Sequence, residues 1–121
     1  MKNYRLGDME LEFANLIWEN EPISSGGLVQ LCEQKFSWKK STTYTEIKRL
    51  SQKGVLKNEN AVVTPLVTRE EVQAKESDEF VERTFDGSLP GFLTAFLGGK
   101  KLSRQEAEDL KALIDNYQEE G

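Results

Sequence analysis

The sequence predicts a mainly α-helical fold with one small β-hairpin, divided between residues 1–67 and a helical region at residues 68–121. Three observations predict it. Apolar residues recur at helical spacing in three short segments before residue 54. Two short β-patterned runs follow around a polar turn, and everything after Thr68 is helical in pattern and acidic. The charge break coincides with the structural one: residues 1–65 hold nine basic and eight acidic side chains, residues 66–121 seven and thirteen.

In the first helix Phe13, Leu16 and Ile17 mark the buried face, with Met9 one turn earlier, and Pro22 ends it near Asn20. Ser24 and Ser25 can cap a second helix whose inner face is Leu28, Leu31 and Cys32 and which runs out near Lys35. The third helix begins at Lys40 or Ser41. At about 100° per residue, Thr43, Ile47 and Leu50 share one stripe, while Ser41, Tyr44, Thr45, Lys48 and Gln52 lie around the other side. Gly54 ends this helix, and residues 55–57 and 61–64 pattern as strands around Asn58, Glu59 and Asn60. A long amphipathic helix with Val72, Phe80, Val81 and Phe85 follows, stopped by Gly87. SLPGFLTAFLGG is a short apolar helix, and a last helix opens with a capping box of Ser103 and Glu106. Three short helices followed by a hairpin is the order of a winged helix-turn-helix unit, whose third helix enters the DNA major groove.

Composition excludes most chemistry. The chain has no histidine, hence no His-based triad and none of the commonest general base or metal ligand. Its single cysteine, Cys32, falls in an apolar helical pattern and reads as a buried core thiol, so neither a disulfide nor a zinc cluster is expected. Adjacent carboxylates such as Glu70 and Glu71 do not face one site on a helix. No catalysis, cofactor or metal is expected. No apolar run approaches the roughly 20 residues that span a bilayer, and MKNYRLGDME lacks a signal-peptide apolar region, which predicts a cytoplasmic protein without membrane insertion.

The positive charge is concentrated. Residues 35–57 carry Lys35, Lys39, Lys40, Lys48, Arg49, Lys53 and Lys57 against Glu46 alone, a net of +6 in a chain of formal net charge -5. Hydroxyls and cations on one helix face, here Lys39, Lys40, Ser41, Thr42, Tyr44, Thr45, Lys48 and Arg49, are groups that bind phosphates and base edges. Periodicity alone leaves a second reading open, in which Ser and Thr cap the helix and the lysines keep a solvated face soluble.

In WKKSTTYTEIKRLSQKG the residues Trp38, Thr42, Thr45, Ile47, Arg49, Leu50, Lys53 and Gly54 resemble the third-helix pattern of the penicillinase-repressor family, the BlaI, MecI and CopY group of winged-helix transcriptional regulators. Leu16, Ile17 and Trp18 resemble the end of that family's first helix. PLVTREEV at 65–72, then Phe80, Arg83 and Phe85 and GSL at 87–89, resemble its linker and dimerisation region, so the resemblance covers nearly the whole chain. It implies a dimeric repressor whose C-terminal helices interlock and whose third helices read two half-sites of a palindromic double-stranded operator. Val72, Phe80, Phe85, Leu89, Phe92, Phe96, Leu110, Leu113 and Ile114 then become dimerisation residues, being too many apolar groups for about fifty residues to hide alone. The resemblance also implies relief of repression by a sensor protease or another sensor signal. For a protease the aligned bond is Ala95–Phe96, where the family pattern has Asn before Phe. The alternative is that this short apolar helix is simply core and that release follows from a small ligand or a partner binding between the acidic helices.

Three departures bear on function. The wing NENAVV is short and carries Glu59 where a basic residue is usual, and Glu46 sits in the recognition helix, where it would repel phosphate or accept from a cytosine amino group. The tail DNYQEEG has none of the cysteines of the copper-responsive branch. The alternative to a repressor is a wing-deficient interaction module whose third helix docks an acidic protein partner.

Overall fold

In the computed structural model, which describes residues 5–118, the chain divides into two compact units, Met1–Phe80 and Val81–Gly121. Residues 1–4 of the segment read for a targeting signal, and residues 119–121 of the cysteine-free tail, lie outside the described range.

The first unit is built around α1 (Asp8–Asn20), α2 (Ser25–Phe36) and α3 (Lys40–Gln52). Phe13, Ala14, Leu16 and Ile17 of α1 meet Leu28 and Cys32 of α2 and Ile47 and Leu50 of α3 in one core. Met9 has the right helical spacing but sits in the first turn, and 45% of it remains exposed. α2 starts where the Ser24 hydroxyl accepts from the Gly27 N–H at 2.9 Å. It ends on Ser37 in the left-handed region (φ 57), with the Ser37 N–H donating to the Glu33 carbonyl at 3.0 Å, a cap more often made by glycine. Trp38 then packs at 5.6 Å from Phe13 and 4.9 Å from Phe36, ring to ring, which fixes where α3 can begin.

Gly54, at φ 82, turns the chain out of α3 into the hairpin of β2 (Leu56–Glu59) and β3 (Val62–Pro65). The turn is Asn60-Ala61, both at positive φ (53 and 61), the two-residue geometry whose twist matches paired strands. Asn58 and Glu59 are thus strand residues rather than the turn expected from composition, and the hairpin turns later than expected. A third strand, β1 (Ile23–Ser24), pairs antiparallel with β3, giving the order β1-β3-β2. Two residues are too few to show a strand period, so β1 had no signature in the sequence.

The first unit extends beyond residue 67 because the start of α4 (Arg69–Phe85) is stapled to α1. Val72 is fully buried, the Trp18 indole N–H donates to the Val67 carbonyl at 3.0 Å, and Arg69 Nε donates to Asn15 Oδ1 at 3.0 Å while lying over the Trp18 ring. Val72 therefore belongs to this core and has no surface to offer a partner chain, unlike the other apolar residues with which the sequence groups it.

In the second unit α4 ends at Asp86 (φ 50) and Gly87 (φ 79), and the Ser88 hydroxyl caps α5 (Leu89–Leu97) through the Gly91 N–H at 3.0 Å. α6 (Arg104–Tyr117) opens with the expected capping box, Glu106 N–H to Ser103 Oγ at 3.1 Å and Ser103 N–H to Glu106 Oε1 at 3.2 Å. Neither α5 nor α6 buries a residue: Leu89, Phe96, Leu113 and Ile114 are each more than half exposed, whereas Phe85, Phe92 and Leu110 are half-buried. No helix among the described residues is long and apolar enough to cross a membrane.

Candidate nucleic-acid interface

α3 is held by the stripe that periodicity predicts. Thr43, Ile47 and Leu50 are buried, and Ser41, Thr42, Tyr44, Thr45, Lys48 and Gln52 are exposed on the opposite side. Burying Ile47 and Leu50 contributes about 1.5–3 kcal/mol each to holding this helix. The polar face is left exposed. The Thr43 hydroxyl lies in the core without a well-formed hydrogen bond, beside the Cys32 thiol. Burial pushes the Cys32 thiol above its ordinary pKa, and the neighbouring Thr43 hydroxyl only partly opposes this, so the thiol is an inert packing group.

Ion pairs sort the cations into two sets. Lys39, Lys40 and Lys48 are exposed and make no ion pair among the described residues; Lys40 Nζ stands 6.0 Å from the centre of the Tyr44 ring. Lys35, near the end of α2, is also exposed and makes no ion pair among the described residues, whereas Arg49, Lys53 and Lys57 are engaged. Arg49 Nη1 bonds Glu46 Oε1 at 2.9 Å within the helix, and Lys57 Nζ stands 3.6 Å from Glu59 Oε2 two residues along the same strand, β2. Lys53 Nζ donates to the Arg5 carbonyl at 3.0 Å and to Glu10 Oε1 at 2.9 Å, joining the end of α3 to the start of α1. Burial alone would raise the Glu10 carboxyl, but the Gly7 N–H, the Lys53 hydrogen bond and charge, and the Arg49 charge outweigh it and hold the pKa below its ordinary value.

Glu46 is accordingly not on the reading face. Its side chain is only 13% exposed and turned along the helix toward Arg49, so the repulsive or cytosine-reading role open to an outward Glu46 is replaced by neutralisation of Arg49. Arg49, 54% exposed, has a carboxylate partner in Glu46.

Two of the exposed hydroxyls are tied to the protein. Thr45 Oγ1 donates to the Ser41 carbonyl at 2.9 Å, and Tyr44 OH donates to Ser25 Oγ at 3.2 Å. Ser25 is buried, and its own N–H donates to the Ala61 carbonyl at the tip of the wing at 2.9 Å. One serine thus links the start of α2, the recognition helix and the wing. Sequence reading offered Ser25 only as a cap; its bonds come from residues 19 and 36 positions away, which no local pattern announces.

In the second unit, Leu93, Phe96, Leu97, Leu102, Leu110 and Leu113 line an apolar groove between α5 and α6. Ala95 and Phe96, the candidate cleavage pair, are both exposed and lie near the C-terminal end of α5, with Lys100 Nζ 3.9 Å from the Phe96 ring centre.

Known proteins match most of the chain. The penicillinase repressor family matches residues 6–116. The methicillin resistance regulatory protein MecI of Staphylococcus aureus strain Mu50 is 26% identical over 118 residues, covering 94% of this chain and 96% of that protein. The penicillinase repressor of Bacillus licheniformis is 25% identical over 117 residues, covering 93% and 91%. The solution structure of monomeric Bacillus licheniformis BlaI in complex with the blaP half-operator is similar with a TM-score of 0.50 and 28% identity, over 59% of this chain and 93% of that one. The DNA-binding domain of the repressor BlaI matches over the same shares, at 28% identity and a TM-score of 0.51.

Proposed function

The chain belongs to the penicillinase repressor family, whose members are DNA-binding regulators and not enzymes, and from that premise we propose that it is a cytoplasmic homodimeric repressor of a palindromic double-stranded DNA operator. The observation that carries this reading is the exposed face of α3, which sets Lys39, Lys40 and Lys48, without carboxylate partners among the described residues, beside Ser41, Thr42, Tyr44 and Thr45 on a helix fixed by its buried side. Cations hold the phosphates and fix the register, and short polar side chains reach base edges. Arg49 and the wing contribute less, because Glu46 and Glu59 already face their cations.

Residues 1–67 supply the DNA contacts in this reading and residues 68–121 the pairing of two copies. Support for pairing comes from α5 and α6, which leave Leu89, Phe96, Leu113 and Ile114 more than half exposed, an apolar surface that a second copy would cover. Repression ends when a sensor protease cuts Ala95–Phe96. Both residues are exposed, and the helix that holds them has only nine residues and runs into Gly98 and Gly99, so the extended backbone a protease requires costs little to form. Cutting there detaches α6 and reduces a two-site binder to single units, each with half the contacts.

The test is a footprint of the full chain on the DNA upstream of its own gene. A protected palindrome is expected, and no protection at 100 mM salt or below would overturn the reading. Mass spectrometry of protein from derepressed cells is expected to find a fragment ending at Ala95; an intact chain throughout derepression would remove the protease from it.

A further inference from the structure

The hydroxyl proton of Thr45 is already engaged in a hydrogen bond. Its Oγ1 stands 2.9 Å from the Ser41 carbonyl oxygen, which can only accept, so Thr45 must be the donor in that bond. What remains for a docked ligand on this exposed residue is a γ-methyl group and a hydroxyl oxygen that can only accept. The nearby Tyr44 hydroxyl is likewise turned to the protein, on Ser25 Oγ at 3.2 Å.

The major-groove edge of guanine offers two acceptors, N7 and O6, and demands donors. Thymine offers a C5-methyl group, and adenine and cytosine each offer an exocyclic amino donor. An acceptor-only oxygen leaves guanine without a donor, and of the four bases only thymine carries a C5-methyl for the γ-methyl to pack on, so it is the methyl that singles out an A·T pair. We propose that Thr45 is a specificity-determining residue that selects an A·T pair by packing its γ-methyl on the thymine C5-methyl, its hydroxyl serving the helix and not the base. This rests on the reading of α3 as the DNA-binding helix and names the base that this helix prefers. The committed proton also makes Thr45 rigid at χ1, so the methyl is presented without loss of rotamer freedom on binding.

The experiment uses the full chain and random-sequence duplexes. Sequences selected by wild-type protein are resynthesised with uracil in place of thymine at one position at a time, which removes only the C5-methyl. Burying one methyl-sized group changes affinity by about fourfold. At one thymine per half-site the wild type is expected to lose about that factor. Thr45→Val keeps the methyl and drops the oxygen, and is expected to lose the same factor, whereas Thr45→Ser keeps the hydroxyl, drops the methyl, and is expected to bind thymine and uracil duplexes equally. Wild-type binding that no uracil substitution weakens, or a Thr45→Ser protein as methyl-sensitive as wild type, would overturn the inference while leaving DNA binding intact. A selection that enriches no sequence would instead overturn the DNA-binding reading, and the inference with it.

Discussion

Replacing Glu46 by Gln removes one negative charge from α3 while keeping the side chain's size, and its effect on DNA binding follows from the pairings around it. In the wild type Lys39, Lys40 and Lys48 are the cations of the recognition helix without carboxylate partners among the described residues. Two subunits then neutralise about six phosphates, which gives a slope of log K against log salt of about -5.4 and a loss of about 10³ in affinity between 50 and 200 mM salt. In Glu46→Gln, Arg49 loses its 2.9 Å carboxylate partner, and its half-exposed guanidinium becomes free for phosphate. One added contact per subunit steepens the slope to about -7 and tightens binding to every sequence alike. Fluorescence anisotropy with a labelled duplex, titrated at five salt concentrations, measures the slope directly. Arg49→Ala should leave the slope near the wild-type value, and the double variant should return to it. An unchanged slope in Glu46→Gln, or weaker binding, would refute the assignment of Glu46 as the neutraliser of Arg49.

Three further outcomes follow from the same contacts. Thr43→Val replaces a buried hydroxyl that lacks a well-formed hydrogen bond and should stabilise the fold by about 1 kcal/mol, read as a higher midpoint in chemical unfolding; a lower midpoint would mean that the contact with Cys32 satisfies it. Because the Glu10 carboxyl is held below its ordinary pKa in the folded chain, its pairing with Lys53 stabilises fully above the unfolded-state pKa and is lost as pH falls through the folded-state one, so Glu10→Gln should flatten the acid side of the stability profile and cost stability at neutral pH. Ile114→Asp places a charge on the exposed apolar face of α6 and should convert a dimer into a monomer in sedimentation at micromolar concentration, and a wild type that already sediments as a monomer would defeat the pairing of residues 68–121.

Much of this architecture was legible in the sequence because it depends on local periodicity and local chemistry. The buried stripe of α3 follows from the 3.6-residue repeat, and all three of its members are buried. The caps at Ser24 and Ser103 follow from hydroxyls placed before apolar periodic runs, and Gly54 and Gly87 adopt positive φ at the ends that composition marked. The identity of the helix that carries the cations followed in the same way. Glu46 and Arg49 pair within one turn of α3, at a spacing the sequence itself carries. What the tertiary structure alone decided is which distant group claims a side chain, as when Lys53 is claimed by Glu10, more than forty residues earlier. Val72 looked like its apolar neighbours on α4, but the Trp18–Val67 hydrogen bond and the Arg69 staple draw the start of that helix into the first core. The physical reason is common to these cases. Periodicity fixes the face on which a side chain lies, while its partner is set by where distant segments meet, and that depends on a packing geometry that a local pattern does not encode.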